Sequence, residues 1–178
     1  MRIAVVSLLF AALLSAHAGP SPFGIVYGPK GAFNIVAPKG WVLDNEAGAA
    51  DRLPCVLYPE GKTWENADPL MYAKIANTDV TDSEAFAKEA IADSKKRRGE
   101  FTPKRIESGK TAGGEDYFIN EYPPNKGYSR HERVAYVQMP KAVAYVVYSS
   151  DDAAAFRKHA GALQEVMKSF RAMDVKKD

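Results

Sequence analysis

The stretch from Tyr128 to Ser149 constrains the fold more than any other part of the chain. Its two centres, Val134-Ala135-Tyr136-Val137 and Val143-Ala144-Tyr145-Val146-Val147, are apolar at consecutive positions rather than at alternate ones. Successive side chains of a strand point to opposite faces, so such runs need apolar cover on both sides of their sheet. Only Pro140-Lys141 separates the strands predicted at 128–139 and 142–149, a connection short enough to pair them antiparallel. Two further strands, 103–108 and 116–122, lead into them through a turn at 109–115 carrying Gly113-Gly114 and another at Pro123-Pro124-Asn125-Lys126-Gly127. Together they predict an antiparallel meander.

Two helices are available to cover it. The first is predicted over 81–99. Thr81-Asp82-Ser83-Glu84 reads as a capping box, Thr81 and Glu84 satisfying free amides reciprocally. Phe86, Ala87, Ala90, Ile91 and Ser94 share one face, while Glu84 with Lys88 and Asp93 with Arg97 stand four residues apart on the others. Lys95-Lys96-Arg97-Arg98-Gly99 closes the helix, with cations at the negative end of its dipole and Gly as the stop. The second helix begins near Asp151 or Asp152 and carries the stripe Phe156, Ala160, Leu163, Val166, Met167 and Phe170.

Upstream, short strands are predicted at 23–27, 32–37, 41–43, 54–58 and 70–76. Pro-Lys-Gly turns at 29–31 and 38–40 bracket the second of them, and a polar loop fills 59–69. Strands, one helix, four strands and one helix give an α+β fold: an antiparallel β-sheet flanked by helices. With 178 residues, 46% of them hydrophobic and 26% charged, and without a repeat or a long linker, the chain reads as one globular domain. That domain is expected over 32–173, after a loose lead-in at 19–31 and before a frayed tail at 174–178.

Residues 1–18 read as a secretory signal peptide. Arg2 supplies the basic region, Ile3 to Leu14 the apolar stretch, and Ala16-His17-Ala18 a small-residue cleavage site. The apolar stretch is shorter than the roughly 20 residues a transmembrane helix needs, and no cysteine follows it to carry a lipid. No other segment approaches membrane-spanning length. No Asn-x-Ser/Thr sequon occurs, and the chain has a single cysteine. Secreted eukaryotic domains more often carry sequons and paired cysteines, so the expected location is the bacterial periplasm or exterior.

The side chains that carry chemistry are scarce. The net charge of +2 points to no nucleic-acid partner, and one cysteine among 178 residues excludes an intramolecular disulfide and a Cys-rich zinc site. Cys55 sits in a strand-like run and reads as a small buried hydrophobe. His159 borders the apolar stripe of the last helix. His131 lies in Ser129-Arg130-His131-Glu132-Arg133, where a charged strand end competes with a ligand-contacting patch. Neither histidine has a second ligand at metal-binding spacing, and the nucleophile-elbow, dinucleotide, zinc-protease and calcium-loop patterns are missing from the sequence. No catalytic residue, metal site or cofactor is therefore assigned. Lys95 to Arg98, with Lys104 and Arg105 nearby, is the most basic segment and reads as a solvated helix end, the alternative being a contact for an anionic partner such as lipid headgroups or an acidic protein face. Tyr117, Tyr122, Tyr128, Tyr136, Tyr145 and Tyr148 fall in or beside the last three strands, where tyrosine suits both half-buried sheet positions and binding surfaces.

The segment Phe33-Asn34-Ile35-Val36-Ala37-Pro38-Lys39-Gly40-Trp41 resembles the strand and Pro-x-Gly-Trp opening of PsbP-like and DcrB-like domains. The helix after Asp82, the hairpin at Gly113-Gly114, the apolar strand at 142–148 and the ending Lys168-Ser169-Phe170 fit as well, so the resemblance spans 32–172. It implies an α/β/α sandwich whose members act as accessory subunits, binding proteins or chaperones, and it carries over no catalytic residue set. The expectation is an exported, non-enzymatic binding or accessory protein with a protein partner in the bacterial cell envelope. Trp64, in the loop 60–68, together with Arg130, His131 and Arg133 forms the expected contact surface. The alternatives are a periplasmic immunity protein or chaperone for a secreted effector, and a hydrolase or transferase using Cys55 or His131.

Overall fold

The two consecutive apolar runs become neighbouring strands in the middle of a large sheet. The computed structural model describes residues 22–173; the signal peptide read at 1–18 and the tail at 174–178 lie outside them. The chain runs β1 (Phe23–Gly28), β2 (Gly31–Val36), β3 (Trp41–Asp44), β4 (Val56–Pro59), β5 (Leu70–Ile75), α1 (Ser83–Arg98), β6 (Lys104–Lys110), β7 (Asp116–Tyr122), β8 (His131–Gln138), β9 (Val143–Ser150), α2 (Ala153–His159), α3 (Gly161–Ser169) and β10 (Arg171–Met173). Seven strands form an antiparallel sheet in the order β3-β4-β5-β9-β8-β7-β6, and β1-β2-β10 form a second, smaller sheet.

Register decides which residues share a face. In β8 and β9, Val134 lies opposite Val147 and Tyr136 opposite Tyr145, while Ala135 opposes Val146 and Val137 opposes Ala144. The Ala135 and Val137 side joins Met71, Ala73 and Ile119 in the main core, covered by Phe33 and Ile35 of β2 and by Phe156, Leu163, Val166, Met167 and Phe170. The Val134 and Tyr136 side joins Phe118, Tyr122 and Val147 in a second core, against Phe86, Ala87 and Ile91 of α1. Val56, Tyr58 and Ala67 make a third cluster, which Tyr72 links to the second. Helices thus lie on both faces of the large sheet, and the small sheet shares one of those layers.

β1 pairs along its length with β2 and buries Val26 fully. The small sheet stacks closely on the large one: a Cβ on Gly24 would come within 2.1 Å of the Leu43 side chain, which would have to move to admit it. The alternate side chains Phe23, Ile25 and Tyr27 point outward and stay exposed.

Local details depart from the sequence reading in five places. Asp82, not Thr81, caps α1, its Oδ1 accepting from the Ala85 amide at 2.7 Å. Glu84 turns instead to Arg105, which donates to both its carboxylate oxygens at 2.6 and 2.7 Å. Gln138 takes up the remaining cap duties: its Oε1 accepts from the Ser83 amide and its Nε2 donates to the Thr81 carbonyl. Asp93 pairs with Lys96, one residue short of Arg97. Tyr128 precedes β8 rather than opening it, in a turn closed by Asn125 and Tyr128. The last helix divides at Ala160 into α2 and α3, and residues 171–173 then pair with β2, a strand too short to show a period in sequence.

Candidate functional site

The residues expected to form a contact surface are held by internal partners. Trp64 is half-buried; its Nε1 donates to Asp51 at 2.8 Å and its ring packs on the cluster of Val56, Tyr58 and Ala67. Arg130 donates to the Ser149 hydroxyl at 2.7 Å and to the carboxylates of Asp151 and Asp68. Asp68 also accepts from the amides of Asp151 and Asp152, so it ties the end of the Trp64 loop to the start of α2. The loop and Arg130 are therefore brought together through Asp68. His131 and Arg133 lie elsewhere, beside α2: the His131 ring is 5.3 Å from that of Phe156, and the Arg133 guanidinium sits 5.2 Å over the same ring while pairing with Glu121 across the strands.

Cys55 is fully buried. Burial, with the nearby Asp44 carboxylate, pushes its thiol up to about 12, the opposite of what a thiolate nucleophile requires. Asp44 works in the other direction. Burial disfavours its charge, but hydrogen bonds from the Ala47 and Glu46 amides and the Tyr58 hydroxyl hold its carboxyl below the usual range. Among the described residues, no group of three or more His, Cys, Asp or Glu side chains is placed to hold a metal.

An aromatic-lined opening lies between α1 and the large sheet. α1 buries only Ser83 and Ala87 fully, because aromatic rings stand between it and the strands. Phe86 meets Tyr145 and Tyr136 at centroid distances of 5.6 and 6.1 Å. At the other end of the helix, the Arg98 guanidinium lies 4.2 Å from the Tyr128 ring and 4.9 Å from that of Phe101. The result is a cleft of about 480 Å³, with Tyr72, Tyr122, Tyr128, Tyr136 and Tyr145 in its lining.

Its polar groups are unevenly satisfied. Glu132 uses both carboxylate oxygens, one for Arg98 at 2.7 Å and one for the Tyr128 hydroxyl at 2.8 Å. The hydroxyls of Tyr122 and Tyr136 bond each other at 2.6 Å. Those of Tyr72 and Tyr145 have no hydrogen-bond partner among the described residues, and burial raises both phenols above their ordinary value, so they remain protonated donors. Tyr128 is pushed up to about 12, by burial first and then by Glu132.

No family model matches the sequence, and no curated protein matches it. Among solved structures, the chain is similar to cyanobacterial PsbP (CyanoP) from Synechocystis sp. PCC 6803, with 14% identity and a TM-score of 0.54 over 88% of this chain and 96% of that one. It is also similar to LpqN, involved in cell envelope biogenesis of Mycobacterium tuberculosis, with 13% identity and a TM-score of 0.56 over 85% and 91% of the two chains. The fold is PsbP-like.

Within this PsbP-like fold, the Pro38-Lys39-Gly40-Trp41 motif is a turn that delivers Trp41 to the core. Gly40 has φ +77°, and the Trp41 amide donates back to the Pro38 carbonyl at 3.0 Å. Trp41 then packs between Tyr148 and His159, at 6.4 and 6.2 Å. The motif is thus a packing device and not part of the cleft. Tyr148 also belongs to that side, its hydroxyl donating to the Phe156 carbonyl at 2.7 Å, and Tyr117 donates to Glu107. Four of the tyrosines singled out in the sequence line the cleft, and Tyr72 and Phe86 join them from distant segments. Strand parity separates Tyr122 from Tyr117 in β7 and Tyr145 from Tyr148 in β9, and which parity faces α1 is readable only from the folded sheet.

Proposed function

We propose that this chain is an exported, non-enzymatic binding or accessory protein of the bacterial cell envelope, working through a protein partner. The observation that carries the reading is the contrast between its reactive groups and its open surface. Cys55 is sealed in the core with a raised thiol pKa, and both mature-chain histidines are packed against rings, whereas a preformed cleft stands open under α1. A molecule arranged in this way suits recognition better than turnover.

The envelope setting is supported by the secretory pattern of residues 1–18 and by the likeness to LpqN, which acts in envelope biogenesis. No helix among the described residues is long and apolar enough to cross a membrane. The contact surface proposed for the partner is centred where Asp68 joins the Trp64 loop to Arg130, and His131 and Arg133 would extend it along the Phe156 side of α2.

Cell fractionation with N-terminal sequencing tests the location: the expected mature chain begins at Gly19 and is found outside the cytoplasm. Affinity capture from envelope extract tests the partner. A protein retained by the wild type and lost with Trp64→Ala plus Arg130→Ala supports the surface; retention insensitive to both removes it. Labelling of native Cys55 by a thiol-reactive probe would revive the hydrolase or transferase reading.

A further inference from the structure

The cleft under α1 has the chemistry of a small-molecule site, and we infer that its ligand is a small aromatic carboxylate: an organic acid with a flat ring body. This deepens the binding reading above and is independent of whether a protein partner engages the Trp64 end.

Volume comes first. Ligand clefts of about 300 to 1,000 Å³ hold small organic molecules, and this one measures about 480 Å³. The rings of Phe86, Tyr136 and Tyr145 already meet in tilted and edge-on geometries, the arrangements in which aromatic faces and edges attract. A further ring inserted among them continues the same packing, which a flexible aliphatic chain does less well because it loses more rotamer freedom on binding.

The sign of the ligand's charge follows from what the cleft leaves over. Glu132 is the lining residue with a negative charge, and it is neutralised by Arg98 and capped by Tyr128. Arg97 also lines the cleft, is exposed, and has no ion pair among the described residues. The surplus charge is therefore positive. Tyr72 and Tyr145 are diagonal neighbours on one sheet face, since Tyr72 opposes Val147 and Tyr145 opposes Lys74. Their hydroxyls have no protein partner among the described residues and are open to solvent, so they are free to donate to a ligand, and a carboxylate accepts from O–H donors strongly. A ligand ammonium would meet a cation at the mouth and would have to displace Arg98 to reach Glu132.

Naphthoate, its neutral alcohol (naphthalene methanol) and its ammonium counterpart (naphthylmethylamine) share one ring body and differ in charge, so they serve as probes with the full chain. Saturable binding of naphthoate is expected by titration calorimetry, with ligand-to-ring nuclear Overhauser contacts at Tyr72 and Tyr145. Arg97→Gln should weaken it about fivefold, the scale of one exposed charge contact. Ala90→Trp fills the cleft from the helix side and should abolish it without lowering thermal stability. Tyr145→Phe, which keeps the ring and removes the hydroxyl, should weaken naphthoate more than the neutral alcohol, whose oxygen accepts the same hydrogen bond without a charge. Equal binding of all three probes overturns the charge assignment. Tighter binding of the ammonium probe, or naphthoate binding that survives Ala90→Trp, overturns the site. If no probe binds while Trp64-sensitive partner capture persists, the ligand proposal fails and the accessory-protein reading stands.

Discussion

The two faces of the seven-stranded sheet are built from the same two strands and end in opposite states. On one face, Ala135, Val137, Ala144 and Val146 present small or branched side chains, and the layer of α2, α3 and the small sheet buries all four fully. On the other, Tyr136 and Tyr145 stand beside each other with Tyr72 and Tyr122 nearby, and α1 rests on their rings. Small residues let a covering layer approach closely, whereas tall rings hold it off and carry hydroxyls that must find partners. The same sheet thereby supplies a sealed core for stability and an open cleft for binding.

The comparison breaks if the two faces respond alike to truncation. Leu163→Ala, on the sealed face, should cost about 4 kcal/mol in urea unfolding because a closed core relaxes little around the void. Ile91→Ala under α1 is only partly buried and should cost about 1 kcal/mol.

At the end of the open cleft, the side chains of Arg98 and Glu132 are only 15% and 12% exposed. Removing one partner leaves the other charge poorly solvated, so Arg98→Ala is expected to cost about 2 kcal/mol, and a double-mutant cycle with Glu132→Gln should show clear coupling. A cycle with no coupling would make the ion pair incidental.

The tyrosines sharpen the comparison at high pH. Burial raises the folded-state values of Tyr72, Tyr136 and Tyr145 on the cleft side, and of Tyr148 on the sealed side. A raised folded-state value leaves stability intact below the unfolded value of about 10 and removes it as pH climbs from there toward the folded values. Phenolate absorbance and far-UV circular dichroism should therefore change together in one alkaline transition. Independent titration of these four phenols in a still-folded chain would overturn this account. The smallest expected effect is at Glu84→Gln, whose partner Arg105 is well exposed: about 0.5 kcal/mol, diminished by salt.

Much of the fold was legible in the sequence because it is locally encoded. The doubly apolar runs required a covered antiparallel sheet, the stripe from Phe156 to Phe170 required a helix, and Pro38-Lys39-Gly40-Trp41 marked a turn. The candidate site was half legible. The excess of tyrosine stood out, but its division between two faces did not, and the Trp64 and Arg130 side chains gave no sign that Asp51, Asp68 and Asp151 would occupy them.

By itself, then, the sequence determined most of the secondary structure, the two-sided sheet and the poverty of reactive side chains, since periodicity and composition act over a few residues. Tertiary structure alone decided that Tyr72 lies diagonally beside Tyr145, that Gln138 completes the start of α1 from 55 residues away, and that Arg171 to Met173 returns to pair with β2. Those outcomes depend on register and on contacts between distant segments, and the cleft exists only because that register puts the rings on one face beneath a helix.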